Sequence, residues 1–205
     1  IHCLLRGSYK QMMPDRNLRI CPVEMAGSLD LKIRRWVQNP KKILKHYIQE
    51  GMHVLELGCG PGFFTIDIAQ MIGKKGKVIA VDLQEGMLQK VRDKIKGTKL
   101  EKRIILHKCD ENKIGISKKV DFILLFYMVH EVRDKESLFT EIESILKPNG
   151  KILIVEPPFH VSKKAFEDTI KKASEAGFTF VGKPKIFLSK TAVLKKQSNY
   201  LSSYA

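Results

Sequence analysis

Three glycines spaced two residues apart follow a short apolar segment and precede a helical pattern. They are Gly58, Gly60 and Gly62, and Glu56 stands just before them. Because glycine has no Cβ, a turn of this kind lets the backbone approach a ligand closely. The free amides of the following helix then face that ligand. The sequence therefore predicts a ligand-binding turn between a strand and a helix.

This turn differs from the dinucleotide-binding fingerprint. That fingerprint is Gly-x-Gly-x-x-Gly, and its third glycine corresponds to Phe63 in this chain. Asp82 ends the next apolar run, 24 residues after Gly58, and a carboxylate there can accept both ribose hydroxyls of an adenosine. The pattern favours an adenosine-containing ligand other than NAD. A turn that merely joins two elements, and an acid that merely caps a helix, remain the alternatives.

Polar and aromatic residues also follow the later apolar runs. Asp110, preceded by Cys109, comes after the third run and could take an adenine amino group, although Asp is also a common turn former. Phe126 and Tyr127 end the fourth run, and His130 follows them. Histidine has an ordinary pKa of about 6.5, which suits a general base at neutral pH. The alternative is that His130 only caps or hydrogen-bonds the next helix.

Two other histidines lie near predicted strand ends. His160 follows the segment Glu156-Pro157-Pro158-Phe159 past the fifth run and is a second candidate. His53 opens the first strand, at the opposite end of the predicted sheet, and is excluded.

The elements that would position these residues alternate between strand and helix. Apolar runs predict strands at 54–57, 78–81, 104–107, 120–126 and 152–155, and a final antiparallel pair at 178–181 and 186–194. Helical periodicity between them predicts crossovers, the last with Ser162 as N-cap and Gly177 just past its end. Such alternation predicts a parallel sheet with helices on both faces and a ligand at the carboxyl ends of the strands.

The first 50 residues follow a different pattern. Residues 1–27 show little periodicity and are predicted to be extended or partly disordered. Two short apolar stripes come next, formed by Leu29, Ile33, Trp36 and Val37, and by Ile43, Leu44, Tyr47 and Ile48. Helices this short are not stable alone, so both are predicted to dock on the core. They would either close the acceptor pocket or cover one face of the sheet.

Composition narrows the class of protein. A chain of 205 residues suits one domain, and no apolar run reaches the roughly 18 residues of a membrane span. The net charge of +15 comes from dispersed lysines, which indicates either a solvated surface or weak, non-specific nucleic-acid binding. The four cysteines are Cys3, Cys21, Cys59 and Cys109, and they form no C-x-x-C pair. Their spacing argues against a metal site and suits a reducing cytoplasm.

The order and spacing of these motifs resemble those of class I S-adenosylmethionine (SAM) dependent methyltransferases. The resemblance covers about residues 51–196 and is greatest to small-molecule enzymes of the ubiquinone/menaquinone type (methyltransferase type 11-like). It rests on the glycine turn, Asp82, the segment after the fourth strand, and a helix-Lys-Pro-x-Gly-strand signature at 146–156. It implies an α/β, Rossmann-like, doubly wound sheet of seven strands, mostly parallel, with an antiparallel C-terminal hairpin.

The same resemblance implies SAM as cofactor and gives each motif residue a role. The methionine end of SAM would be held by Glu56, Gly58, Cys59, Gly60 and Gly62. Its ribose would be held by Asp82 and Leu83, and its adenine by Cys109 and Asp110. Phe126 and Tyr127 would line the cofactor near the transferring methyl group.

The resemblance also divides the chain. Residues 1–50 would be an N-terminal extension that includes a possible substrate lid, 51–196 the methyltransferase domain, and 197–205 a tail. The segment that begins at Cys21 resembles the N-terminus of an uncharacterised, prokaryotic and largely archaeal group. In this superfamily, N-terminal helices usually cover the substrate pocket.

A small-molecule acceptor is expected. Methyltransferases that act on base amino groups carry Asn/Asp-Pro-Pro-aromatic after the fourth strand, where this chain reads Phe126-Tyr127-Met128-Val129. An RNA- or protein-modifying enzyme that uses the basic surface is an alternative. So is an arsenite-type methyltransferase, although the cysteine placement of that family is not reproduced. A non-catalytic SAM-fold protein that binds nucleic acid is a third class, against which the intact glycines and Asp82 argue.

Overall fold

Seven strands form a single sheet in the order β3-β2-β1-β4-β5-β7-β6. The computed structural model of the chain describes residues 32–197. Strands β1 to β5 pair in parallel, and β7 pairs antiparallel with both β5 and β6. The strands are β1 His53–Leu57, β2 Lys77–Asp82, β3 Ile104–Lys108, β4 Val120–Phe126, β5 Leu146–Glu156, β6 Phe178–Gly182 and β7 Lys190–Lys196. The predicted seven-stranded sheet with its C-terminal hairpin is confirmed.

Six α-helices and one short 3-10 helix accompany the sheet within the described residues. They are α1 Lys32–Val37, α2 Pro40–Leu44, α3 Thr65–Met71, α4 Glu85–Ile95, α5 Lys135–Ile145 and α6 Lys163–Glu175, with the 3-10 helix at Val129–Glu131. Helices α2, α3 and α4 bury their apolar sides in one core layer, and α5 and α6 in a second. Alternate strand residues supply the two layers, as Val54 and Leu55 do. The sheet is therefore covered on both faces.

The strand order reverses between β1 and β4. The chain goes outward from β1 through β2 to β3, then returns to place β4 on the other side of β1. In open α/β sheets, ligands bind outside the carboxyl ends of the strands at such a point. The glycine turn after β1 and the aromatic pair after β4 therefore end at the same crevice.

Both predicted caps of the last crossover helix are present. The Ser162 hydroxyl accepts a hydrogen bond from the Ala165 amide at 3.0 Å, and Gly177 has φ +91°. The start of the last strand was predicted wrongly at residue 186. The chain turns at Leu188, where φ is +49°, and β7 begins at Lys190. An apolar segment can line a turn as well as a strand, so its hydrophobicity did not show the difference.

The prediction for the first apolar stripe is wrong at Trp36. Its side chain is 86% exposed, whereas Arg34 and Gln38 on the same short segment are buried. Leu29 lies outside the described residues. The surface beneath α1 consists of aromatic rings and a tyrosine hydroxyl, which a guanidinium and an amide contact better than an indole does. The second stripe does dock, since Leu44 and Ile48 are buried.

Within residues 32–197, no helix combines the length and the apolar character needed to span a membrane.

Candidate functional site

The glycine turn joins β1 to α3 and adopts backbone angles that side chains disfavour. Gly58 has φ +74° and Gly60 has φ +53°. A Cβ on Gly58 would lie 2.9 Å from the Met128 Cβ, whereas a Cβ on Gly60 would meet nothing within 4 Å. Gly58 is therefore required by packing. At Gly60 the backbone borders open space, as expected where a ligand approaches the chain.

Asp82 links the end of β2 to this turn. One carboxylate oxygen accepts from the Gly60 amide at 2.8 Å, and the other accepts from the Gln84 amide at 2.9 Å. Burial raises the pKa of Asp82, and the backbone hydrogen bonds oppose that rise. The acid thus fixes the turn and lies at the crevice.

Glu56 is a buried carboxyl near the end of β1. One of its oxygens accepts from the Thr65 hydroxyl at 2.6 Å. Burial is the main cause that raises the pKa of Glu56 to about 8, and the negative charge of Asp82 raises it further. The hydrogen bond from Thr65 and the positive charge of Arg34 oppose this rise. Burial therefore favours the protonated carboxyl, and a nearby cation would favour its ionised form. The crevice is thus suited to a ligand that brings a cation.

The predicted adenine residues follow β3 and lie beside Asp82. The Cys109 amide donates to the Asp82 carbonyl at 3.1 Å, and the Asp110 amide donates to the Lys113 carbonyl at 3.1 Å. The Asp110 side chain is exposed and Leu83 is half-buried. Burial raises the pKa of the Cys109 thiol to about 11, which keeps it uncharged. The structure therefore brings the residues after β2 and β3 together at one edge.

Phe126 and Tyr127 close the crevice at the end of β4. The Phe126 ring centroid lies 4.4 Å from that of Phe64 and 4.5 Å from that of Tyr127. Tyr127 has φ +59°, an uncommon conformation for a bulky residue, and its amide donates to the Val155 carbonyl at 2.8 Å. Strained residues of this kind cluster at functional sites.

The Tyr127 hydroxyl connects three parts of the chain. It accepts from the Gln38 amide nitrogen at 2.6 Å and shares a hydrogen bond with the Ser189 hydroxyl at 2.7 Å. Gln38 follows α1, and Ser189 precedes β7. The N-terminal helix and the hairpin loop therefore meet above the end of β4.

Arg34 extends from α1 into the same crevice. Its guanidinium lies 4.2 Å from the centroid of the Phe63 ring and 6.0 Å from that of Phe126. Its Nε donates to the Gln38 side-chain oxygen at 3.1 Å. The arginine side chain is buried, and its charge favours the ionised forms of Glu56 and Tyr127. A cation from the N-terminal segment thus reaches the predicted cofactor site.

His130 is held by Glu156, which ends β5. The ring Nδ1 donates to one carboxylate oxygen at 2.5 Å, and the His130 backbone amide donates to the other at 3.0 Å. Burial alone would lower the pKa of His130, but its hydrogen bond to Glu156 and the charge of that acid outweigh burial and raise it. This arrangement leaves Nε2 as the ring nitrogen that can accept a proton. The His160 ring centroid lies 6.4 Å from that of His130, so the two candidate bases are neighbours.

Sequence reasoning missed several residues of this site. They are Arg34, Gln38, Thr65, Glu156 and Ser189. Glu156 carried a usable signal, since it ends an apolar run just as Asp82 does. The polar residues of the N-terminal segment carried none, because their role depends on which distant side chains they meet.

The family comparison covers most of the chain. Residues 48–202 match the family described as "Methyltransferase domain". Over 118 residues the chain is 33% identical to a demethylmenaquinone methyltransferase from Lactobacillus johnsonii. The aligned region covers 57% of this chain and 48% of that protein. The chain is 28% identical over 124 residues to the ubiquinone/menaquinone biosynthesis C-methyltransferase UbiE of Pseudoalteromonas translucida, with 58% and 49% covered. The chain thus spans about half the length of these curated relatives.

A solved structure matches over a larger share of the chain. A SAM-dependent methyltransferase from Aquifex aeolicus superposes with a TM-score of 0.77 at 28% identity, covering 87% of this chain and all of that one (100%). The seven-stranded sheet agrees with this match. The chain belongs to the methyltransferase domain family, within the class I SAM-dependent methyltransferases.

Proposed function

We propose that this protein transfers the methyl group of SAM to a small molecule that carries an aromatic hydroxyl group. The observation that carries the proposal is the pairing of two features at one crevice. The glycine turn with its buried acids suits SAM, and the His130–Glu156 pair beside it suits the removal of a proton.

The residues at the crevice fit SAM by their chemistry. The ammonium group of its methionine part would supply a positive charge that favours the ionised form of Glu56, beside the turn formed by Gly58, Cys59, Gly60 and Gly62. Asp82 with Leu83 would hold the ribose, and Cys109 with Asp110 the adenine. Phe126 and Tyr127 would line the reacting end. When bound, SAM supplies an electrophilic methyl group on a sulfonium.

His130 is proposed as the general base. A hydroxyl acceptor becomes a stronger nucleophile as it loses its proton, and Nε2 of His130 can take that proton while Nδ1 remains bonded to Glu156. Glu156 is a positioning residue, since it fixes the ring and favours its protonated form. The half-buried Tyr127 ring offers apolar surface to a flat acceptor, and the buried Phe126 ring supports it with its centroid 4.5 Å away. Demethylmenaquinone, which the name of one relative specifies, belongs to this class in its reduced form, because reduction converts the two quinone carbonyls into aromatic hydroxyl groups.

The cofactor assignment is tested by calorimetry. Asp82→Ala should weaken SAM binding by about 1–3 kcal/mol, the range for a lost hydrogen bond to a charged group. Asp168→Ala, an exposed acid on α6, is the matched control and should bind SAM like the wild type. NADH should not bind, because Phe63 occupies the third glycine position of the dinucleotide fingerprint. Absence of SAM binding by the wild type, or equal affinities in the three proteins, would contradict the assignment.

The acceptor class is tested with methyl-labelled SAM and a cell extract. We expect the label in the small-metabolite and lipid fractions, and His130→Ala should lower that transfer by about 10²-fold or more. The dispersed lysines support RNA or protein as the alternative acceptor. Label recovered mainly in tRNA, rRNA or protein would therefore overturn the small-molecule assignment while leaving SAM use intact.

A further inference from the structure

The most exposed large hydrophobic side chains of the described residues form a distinct set. They are Trp36 at 86% exposure, Phe159 at 76%, Leu188 at 65% and Phe187 at 60%. The other exposed large hydrophobics, Ile105, Phe180 and Val181, range only from 40% to 49%. Single apolar residues on a surface are ordinary, but a group of strongly exposed ones marks an interaction site.

The segments that carry these four residues meet at one opening, although they are far apart in sequence. Gln38, two residues after Trp36, is bonded to the Tyr127 hydroxyl. That hydroxyl is bonded to Ser189, which directly follows Phe187 and Leu188. Lys190 then donates to the Pro158 carbonyl at 2.8 Å, next to Phe159. We call these four residues the apolar rim. The segments that carry the apolar rim meet at the crevice that contains Tyr127.

The segments that carry the apolar rim are also purely cationic. Residues 34–42, 157–164 and 183–190 contain no Asp or Glu. Their lysines and arginines are Arg34, Arg35, Lys41, Lys42, Lys163, Lys164, Lys183, Lys185 and Lys190. Arg34 is buried, Arg35 and Lys41 lie by Asp67 of α3, and Lys163 lies 3.7 Å from Glu167 of α6. The lysines at 42, 164, 183 and 185 are exposed. Exposed apolar side chains next to lysines are the combination that binds the surface of an anionic bilayer.

We propose that the apolar rim docks on an anionic lipid bilayer, so that the acceptor pocket opens towards the membrane. The apolar side chains would enter the boundary between headgroups and acyl chains, and the lysines would contact the anionic headgroups. RNA is another polyanion, and the three aromatic side chains of the rim could stack on its bases. Leu188 has no ring to stack, and the exposed cations here are lysines rather than arginines, so the observations favour the bilayer. This inference rests on the proposed function in one respect, namely that the proposed acceptor is lipophilic.

Trp36 makes the docking directly measurable, because it is the single tryptophan of the chain. With vesicles of phosphatidylcholine and phosphatidylglycerol, its emission should shift to the blue and the protein should sediment with the lipid. Vesicles of phosphatidylcholine alone should bind much less. An emission that is already blue-shifted in buffer would show that the rim is covered within the chain, and would overturn the proposal.

The double variant Phe187→Ser with Leu188→Ser should lower the apparent affinity for the anionic vesicles by about tenfold or more, because two apolar side chains no longer enter the lipid. The matched control is Phe180→Ser, on the edge strand β6 beside Leu194 and away from the opening. If both variants bind like the wild type, charge alone attracts the protein and the docking surface is wrong. A double variant that loses RNA binding but keeps vesicle binding would overturn the proposal in favour of RNA.

A SAM titration of the same proteins separates this proposal from the proposed function. The double variant should keep the SAM affinity of the wild type, because the rim lies outside the cofactor residues. Vesicle binding without SAM binding would remove the proposed activity and leave the docking surface standing. SAM binding without vesicle binding would remove the docking surface and leave the proposed activity standing.

Discussion

Two buried glutamates end strands of the same sheet and have different partners. Burial, with a smaller contribution from the nearby acid Asp82, raises the pKa of Glu56 to about 8, although the carboxyl accepts a hydrogen bond from the Thr65 hydroxyl that opposes the rise. Glu156 receives two N–H bonds from His130, one from the ring and one from the backbone. The first acid thus suits a cationic ligand, whereas the second orients a neighbouring side chain of the protein. The difference arises from the immediate partner of each carboxyl group.

At this scale, the His130–Glu156 pair predicts a specific pH dependence. Only the neutral imidazole accepts a proton, so turnover should rise as the pH passes the raised pKa of His130. Glu156→Gln removes the charge that favours the protonated ring, so the rising limb of the pH–rate profile should move to lower pH. The maximum rate should also fall, because the amide orients the ring less strongly.

The control for this experiment is Glu167→Gln, an exposed acid on α6. Its profile should coincide with that of the wild type. SAM affinity, measured on all three proteins, shows whether the buried substitution has preserved the fold. A rising limb that stays in place in Glu156→Gln, with SAM binding intact, would mean that His130 is not the base.

At the scale of elements, α1 depends on its tertiary contacts. Six residues cannot form a stable helix in isolation, since helices shorter than about 12 residues are marginal in water. Arg34 lies over the Phe63 ring, Arg35 bonds to Asp67 at 3.0 Å, and Gln38 bonds to Tyr127. Two of these contacts reach the crevice itself. A helix held in this way suits a lid, because few contacts need to break for it to move.

Gln38→Ala tests the lid. The side chain loses two hydrogen bonds, one to the Tyr127 hydroxyl and one from Arg34, which should lower the free energy of unfolding by about 2–4 kcal/mol and leave most of the protein folded. Turnover should nevertheless fall several-fold, because α1 would no longer be fixed above Tyr127. Hydrogen exchange of residues 32–44 should increase in the same variant.

Trp36→Ala is the comparison within the same helix. Because the indole is exposed, this variant should keep the unfolding free energy of the wild type and its turnover with a water-soluble acceptor. If Gln38→Ala loses stability but no activity, α1 only covers the sheet and the lid hypothesis is wrong.

At the scale of the whole molecule, the buried acids of the crevice are linked to the stability of the fold. Two apolar layers pack against a sheet whose central strands are buried, and Glu56 lies within that structure. The free energy of unfolding depends on pH wherever the folded and unfolded chains bind different numbers of protons. A functional site that requires a buried carboxylate therefore lowers the stability of the ligand-free protein at high pH.

Glu56 makes the free energy of unfolding decrease as the pH rises. Its pKa is about 8 in the folded protein and about 4.5 in an unperturbed carboxyl, so the folded chain holds the extra proton between these values. The resulting contribution to stability is complete below about pH 4.5 and is lost as the pH rises through 8. Glu56→Gln should avoid this loss, so its melting temperature relative to the wild type should increase from about pH 6 to about pH 9.

Scanning calorimetry across that range measures the difference. Glu111→Gln, which changes an exposed acid, should follow the wild type at every pH. Parallel curves for Glu56→Gln and the wild type would show that Glu56 is already ionised in the folded protein.

The sequence by itself determined the sheet, the crossovers, and the positions of the glycine turn and Asp82 at strand ends. Apolar runs such as Val120–Phe126 are typical of central parallel strands, and the positive φ angles of Gly58 and Gly60 favour glycine at the turn. Asp82 follows from its place at the end of a strand. These features depend on short stretches of chain, so periodicity and turn chemistry suffice to predict them.

Only the tertiary structure decided the partners of the polar residues. Glu156 meets His130 from 26 positions away, and Gln38 meets Tyr127 from 89 positions away. Hydrophobic periodicity placed Trp36 inward, yet the surface that α1 covers is aromatic and hydroxylated, so Arg34 and Gln38 are buried in its place. A pattern along one helix records which residues are apolar. It does not record what the opposing surface offers, and that surface determines which side of a short helix is buried.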